Sequence, residues 1–303
     1  MTFDPALKRT KHVFERNHCE PQPKIAKNII LVLLTFFVVV FVGQMAELVP
    51  LTIITGDPEQ LASITSKLPG LFATALCSAV VLAFCLGVER RKPRSMGFTT
   101  KRLIPNYLLG LLLGFATFST AILIAMLGGG YRFDGFDDNI AWGTLLLFLL
   151  GWGFQGFGEE LMCRSYLLCD IGTHHSPWTA VLLSSLAFMA LHFGNPNTSV
   201  LAFINLALFG VEAALLFLRT DNIWLVSALH TMWNCAQGNI YGVQVSGMDV
   251  ENTIMHFVPI DGHVLFSGGA FGIEGGLGDT IISLIVIFIC LFDFSKKQPD
   301  AEA

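Results

Sequence analysis

Charge is scarce in this chain. Only 14% of its 303 residues are Asp, Glu, Lys or Arg, against about 25% in ordinary soluble domains. That shortage excludes a disordered chain and argues against a cytosolic enzyme of the usual kind. Also lacking is a cysteine pattern. Cys19, Cys77, Cys85, Cys163, Cys169, Cys235 and Cys290 are scattered, with no redox-motif or metal-ligand spacing. Most lie in apolar runs and read as small core residues. No His-Glu-x-x-His pair and no phosphate-loop ending is present, nor any internal repeat or low-complexity linker. The net charge of -5 leaves no basic block of nucleic-acid type. A nucleic-acid partner is therefore not expected.

What is abundant is apolar sequence. Hydrophobic residues make up 53% of the chain, and the mean hydropathy is +0.63. A membrane helix needs about 20 mostly apolar residues. Eight stretches approach this, near 29–46, 70–88, 103–127, 140–158, 177–191, 199–218, 223–241 and 280–294. The expectation is an all-α, polytopic membrane protein of about eight transmembrane helices. A polar lead at 1–27 precedes a single membrane domain at 28–303. The first apolar run begins after a long charged lead with no cleavage pattern behind it, so it does not read as a signal peptide.

Lys and Arg set the expected orientation. Lys8, Arg9, Lys11, Arg16, Lys24 and Lys27 precede the first span. Arg90, Arg91, Lys92, Arg94, Lys101 and Arg102 lie between the second and third. Lys296 and Lys297 follow the last, while the alternate loops hold only Lys67 and Arg132. The positive-inside rule then puts both termini in the cytosol. Trp142, Trp178 and Trp224, near span starts, read as interfacial anchors. The long loop 242–279 falls on the other side. Its Ser267-Gly-Gly-Ala-Phe-Gly-Ile-Glu-Gly-Gly-Leu-Gly278 run implies a flexible or tightly turning backbone.

Ionisable groups inside a bilayer are rare and usually functional. Three clusters occur here. The fourth span ends in Glu159-Glu160-Leu-Met-Cys-Arg164, the fifth in Phe188-Met-Ala-Leu-His192, and the seventh carries His230-Thr-Met-Trp-Asn234. Glu160 and Arg164 are four apart and share a helix face, as do His230 and Asn234. Glu159 lies about 100° around from Glu160. At about 1.5 Å rise per residue, these residues reach broadly similar depths in spans that run in alternating directions.

Two carboxylates, an Arg, two His and an Asn in a desolvated pocket suit hydrolysis without a covalent nucleophile. A Glu serves as general base toward water, helped by a His. A second His with an amide can donate to a developing oxyanion. Ser165 and Cys163 stand close by but lack a complete set of partners. Glu159, His192 and His230 could instead hold a divalent metal such as zinc, so cofactor dependence stays open. Each cluster also has a structural reading: Glu–Arg as a tie, His192 as a packing residue, His230 with Asn234 as polar glue between helices.

Taken together, the three motifs resemble the CaaX-protease and bacteriocin-processing family of intramembrane proteases. That family carries Glu-Glu-x-x-x-Arg, Phe-x-x-x-His and His-x-x-x-Asn (or Asp) on successive membrane helices. The resemblance covers about 140–240. It implies an eight-span helical fold enclosing an intramembrane active-site cavity. It implies that Glu159 and His192 activate water, that His230 and Asn234 receive the oxyanion, and that Glu160 and Arg164 organise the site. It implies a membrane-embedded or prenylated (lipidated) peptide as substrate.

Glu212, in the sixth span, is expected to face the cavity or to pair with Arg219. His174 and His175 read as turn residues, and His256 and His263 as loop residues. A transporter would show repeated halves, which are not found. A non-catalytic immunity or scaffold protein keeping the same residues is the other class open at this point.

Overall fold

A computed structural model describes residues 28–56 and 68–296. The polar lead expected at 1–27 lies outside the described residues. The structure is mostly helical (74%). Its first helix, α1 (Ile29–Thr55), is capped by Asn28, whose side chain accepts from the Ile30 and Leu31 amides. Next comes α2 (Leu68–Ala83), whose end widens into a π turn at Phe84–Val88. After α3 (Leu103–Leu127) and α4 (Trp142–Glu160), a second π-helical stretch, Leu161–Leu168, leads into the short α5 (Cys169–His174). Three helices follow, α6 (Pro177–Ala190), α7 (Val200–Thr220) and α8 (Ile223–Cys235). Each starts on a side-chain cap, from Ser176, Ser199 and Asn222 respectively. The short α9 (Val264–Ser267) precedes α10 (Leu277–Lys296).

Four of these are long and apolar enough to cross a membrane: α1, α2 with its π turn, α3 and α7. Two shorter apolar helices, Pro177–Ala190 and Leu277–Phe292, accompany them. Their outward faces carry Ile30, Val38, Leu112, Val200 and Phe288, all well exposed. Such a continuous apolar exterior suits hydrocarbon and not water. The chain is an integral membrane protein. Two expectations need adjusting. The first helix runs nine residues beyond position 46, through Pro50, because a bilayer helix tolerates Pro where neighbours take up the freed backbone group. The structure also contains two strands, β1 (Tyr131–Phe136) and β2 (Met255–Pro259), paired antiparallel from Tyr131 opposite Pro259. They lie in connections, where alternation is too short to register against the apolar runs.

Small residues set the helix spacing. A Cβ at Gly110 would lie 2.3 Å from the Leu225 carbonyl oxygen, and one at Gly114 would lie 2.2 Å from that of Leu229. These two glycines, four apart, let α3 sit backbone-to-backbone on α8. Gly156 does the same for α4, where a Cβ would come within 2.9 Å of the Thr231 nitrogen.

Two pairs of connections meet. Arg94 pairs with Asp221 at 2.6 Å, the Ile223 amide donates to the Gly97 carbonyl, and Ser165 Oγ donates to the Met96 carbonyl. Loop 89–102 therefore joins the turn between α7 and α8. The β1–β2 pairing joins the loops after α3 and α8. Arg91 and Arg94, expected as topology signals, also serve as ties: buried Arg91 lies 3.6 Å from Glu89 and donates to the Tyr166 carbonyl. The Gly-rich segment turns tightly. Gly268 (φ +74°) and Gly272 (φ +93°) adopt left-handed backbone, and a Cβ on either would meet a carbonyl oxygen within 2.2 Å. Asn205 Nδ2 anchors the segment, donating to the Glu274 and Gly276 carbonyls at 2.9 Å each.

Two predictions follow from this packing. Gly114→Val pushes α8 away and lowers stability by roughly 1–3 kcal/mol, read as a lower unfolding midpoint in detergent; an unchanged midpoint contradicts the close approach. Burial and the nearby Asp170 carboxylate push Glu89 above its ordinary value of 4.5, with Arg91 opposing. Its folded form thus prefers the proton, so its contribution to stability is present at low pH and is lost as pH rises above 4.5 through the raised value. Glu89→Gln should flatten that decline between about pH 5 and 8, measured as unfolding midpoint against pH.

Candidate functional site

The three sequence clusters converge. Glu159 and Glu160 close α4 at the point where the helix widens into its π stretch, a distortion often found at functional sites. Arg164, on that stretch, has no exposed surface. Its Nη1 donates to Glu160 Oε1 at 2.9 Å and its Nη2 to the Gly210 carbonyl on α7 at 3.1 Å. The guanidinium also stands 4.8 Å from the centre of the Phe188 ring. Glu160 is equally buried and accepts a second bond, from His230 Nδ1 at 2.9 Å.

That bond holds the His230 ring so that its other nitrogen, Nε2, lies 3.7 Å from Glu159 Oε2. Phe209 meets the same ring edge-on at 4.9 Å between centroids. His192 stands at the end of α6, where its Nδ1 donates to the Phe188 carbonyl at 2.8 Å. This fixes the proton on Nδ1 and leaves Nε2 as an acceptor. Phe188 packs beside His192 at 4.8 Å between centroids. Glu159, His192, His230 and Asn234 all line one cavity of about 330 Å³.

Sequence reasoning passed over four further residues of that wall. Gln155 donates to Glu159 Oε1 at 2.5 Å and accepts from Asn234 Nδ2 at 2.9 Å. Its position one turn before Glu159 was a usable signal. Gln44 and Glu47 reach the cavity from the second half of α1, and polar residues three apart in an apolar run were again a clue. Glu274 arrives from the Gly-rich segment, accepting from the Ser246 amide at 2.6 Å, Ser246 Oγ at 3.0 Å and Gln237 Nε2 at 3.2 Å. Burial pushes its carboxyl up, opposed by the two Ser246 bonds and by His192. No local pattern reveals this residue.

Other candidates are placed elsewhere. Ser165 bonds a carbonyl outside the cavity, and Cys163 is fully buried away from it. Glu212 is buried on α7 and does not line the cavity. His256 Nε2 lies 3.3 Å from Asp137 Oδ2. Among the described residues no three His, Cys, Asp or Glu side chains, Glu159, His192 and His230 included, gather as a metal-ligand set.

Residues 141–236 match the family model described as type II CAAX prenyl endopeptidase Rce1-like. The motif-bearing region is Rce1-like. No curated protein and no solved structure matches the chain. The Rce1-like region runs from the start of α4 to the end of α8, and so contains every residue of the three motifs. Gln155 falls within it; Glu47 and Glu274 do not.

Removing Arg164 leaves Glu160 buried without its cation. Arg164→Met should destabilise the protein by about 3–5 kcal/mol, and Arg164→Lys should restore little, since one ammonium cannot reach both Glu160 and the Gly210 carbonyl. Unfolding midpoints in detergent decide this; a Lys variant matching wild type would show that charge alone suffices.

Proposed function

We propose that this chain is an intramembrane endopeptidase with eight membrane spans, cutting a membrane-embedded or prenylated peptide. The carrying observation is the shared cavity, where a carboxylate with a free oxygen, Glu159 Oε2, stands with a histidine acceptor, His192. The Rce1-like match supports a CAAX-type membrane protease in general.

A water held between Glu159 and His192 Nε2 gives its proton to Glu159. Its oxygen bonds to the peptide carbonyl carbon, and the carbonyl electron pair moves onto oxygen. His230, in its doubly protonated form, keeps Nδ1–H for Glu160 and offers Nε2–H to that oxyanion, with the Asn234 amide as second donor. Collapse breaks the C–N bond as Glu159 returns its proton to the leaving nitrogen. Glu160 and Arg164 hold His230 and the end of α4. No step passes through a metal.

The eight-span reading rests on the four long apolar helices, on α4, α6, α8 and α10 between and after them, and on the meeting of loops of like parity. The basic clusters then set both termini in the cytosol. The polar lead 1–27 and the membrane domain 28–303 complete the organisation.

Detergent-purified protein is incubated with two internally quenched peptides, one ending in a farnesylated Cys-a-a-X sequence and one hydrophobic and unprenylated. Glu159→Ala and His192→Ala should each lower kcat/KM by about 10²–10⁴-fold, with normal unfolding midpoints. Cleavage that persists in Glu159→Ala, or a wild type that cuts neither peptide, overturns the reading and returns the cluster to a structural or scaffold role.

A further inference from the structure

Gln155 joins α4 to α8 through two amide bonds whose directions are not free. An ionised carboxylate accepts hydrogen bonds and donates none. Gln155 must therefore turn its NH2 to Glu159, as it does at 2.5 Å. Its carbonyl is then what Asn234 meets, and Asn234 answers with its own NH2 at 2.9 Å. The end of Asn234 left over is Oδ1. That atom is buried without a hydrogen-bond partner, on a side chain only 3% exposed that lines the cavity. While Glu159 is ionised, Asn234 thus offers the cavity an acceptor, the wrong end for receiving an oxyanion.

We propose that Gln155 is a positioning residue that ties the end of Asn234 facing the cavity to the proton on Glu159. This rests on the hydrolytic reading above. Before reaction, Asn234 Oδ1 accepts from an O–H or N–H in the cavity. Once water has passed its proton to Glu159 and its oxygen has bonded to the carbonyl carbon, the carboxyl has become a donor. The Glu159 carboxyl turns about its own terminal torsion, so that the protonated Oε2 replaces Oε1 opposite Gln155 and gives its O–H to Gln155 Oε1, and the Gln155 amide turns over. Its NH2 then reaches Asn234 Oδ1, and Asn234 presents NH2 to the oxyanion. Only the water proton changes its covalent partner; the amides rotate about terminal torsions with broad, roughly two-fold profiles. When the C–N bond breaks, Glu159 yields that proton to the leaving nitrogen, and the chain of amides resets.

The remaining charged groups around this relay come from every side. Glu47 faces it from α1, His192 from α6 and His230 from α8. Glu274 and Asp279 line the far wall, and Glu160 and Arg164 follow along its own helix.

The test uses full-length protein in detergent with the two quenched peptides above. Gln155→Met should lower kcat about 10–100-fold while KM changes less than about 3-fold, since an oxyanion donor is lost only in the transition state. Asn234→Ala should cost about 10²–10³-fold alone, and adding Gln155→Met to it should cost less than about 3-fold more, because Gln155 acts through Asn234. In Gln155→Glu the new side chain can donate to Glu159 only when protonated. Its rate–pH profile should therefore be displaced to the acid side of the wild-type profile. A Gln155→Met kcat equal to wild type, multiplying losses with Asn234→Ala, or superimposable pH profiles would each overturn the relay. If Gln155→Met shows no folded midpoint, Gln155→Glu carries the test. The two failures are distinguishable: a neutral Gln155→Met beside an inactive Glu159→Ala sinks the relay alone, whereas a wild type that cuts neither peptide sinks both.

Discussion

Arg164 sits just past the midpoint of the chain with no contact to solvent, and the geometry around the cavity leans on it. A guanidinium in so dry a place is costly unless its partners are fixed. Here they come from three helices: Glu160 at the end of α4, the Gly210 carbonyl of α7 and the Phe188 ring of α6. Glu160 in turn holds His230 of α8. One buried cation therefore draws four helices to one point. The same bonds that satisfy it aim the two glutamates in different directions, Glu160 into the protein and Glu159 toward the cavity.

The cavity itself is rich in acceptors. Glu47, Glu159, Glu274 and Asp279 line it, together with the free Asn234 oxygen, and among the described residues neither Lys nor Arg does. Such a lining treats a peptide N–H or a water as a welcome guest. It treats a negative charge as welcome only where His230 and a reoriented Asn234 supply donors. Close helix contact keeps the wall rigid. The Gly110 and Gly114 seam holds α8 against α3, so His230 and Asn234 cannot drift from the carboxylates they face.

Much of the candidate site was legible in the chain alone because its motifs are local. Glu160 with Arg164, Phe188 with His192, and His230 with Asn234 are each four residues apart, a spacing that forces neighbours onto one helical face whatever the tertiary fold. The same locality made the apolar runs, and hence the helices, readable. What failed was end position and partnership. The helix α1 runs on past position 46 and through Pro50, so that Glu47, like Gln44, is a helical residue at the cavity wall. Gln155 was one turn from Glu159, yet its bond to Asn234 spans 79 residues.

The sequence by itself determined a membrane class, a helical build and three polar clusters, since composition and periodicity act over a few turns. Only the tertiary structure decided that those clusters share one cavity and that His230 lies between two glutamates. It also decided that Glu274 reaches the wall from a segment whose glycines turn the backbone tightly enough to fit beneath Ser246. The physical reason is range. A helix turn fixes contacts three or four residues away, whereas bonds between α4, α6, α7, α8 and the Gly-rich segment depend on how close whole backbones can approach. Here glycines and one buried arginine set that distance.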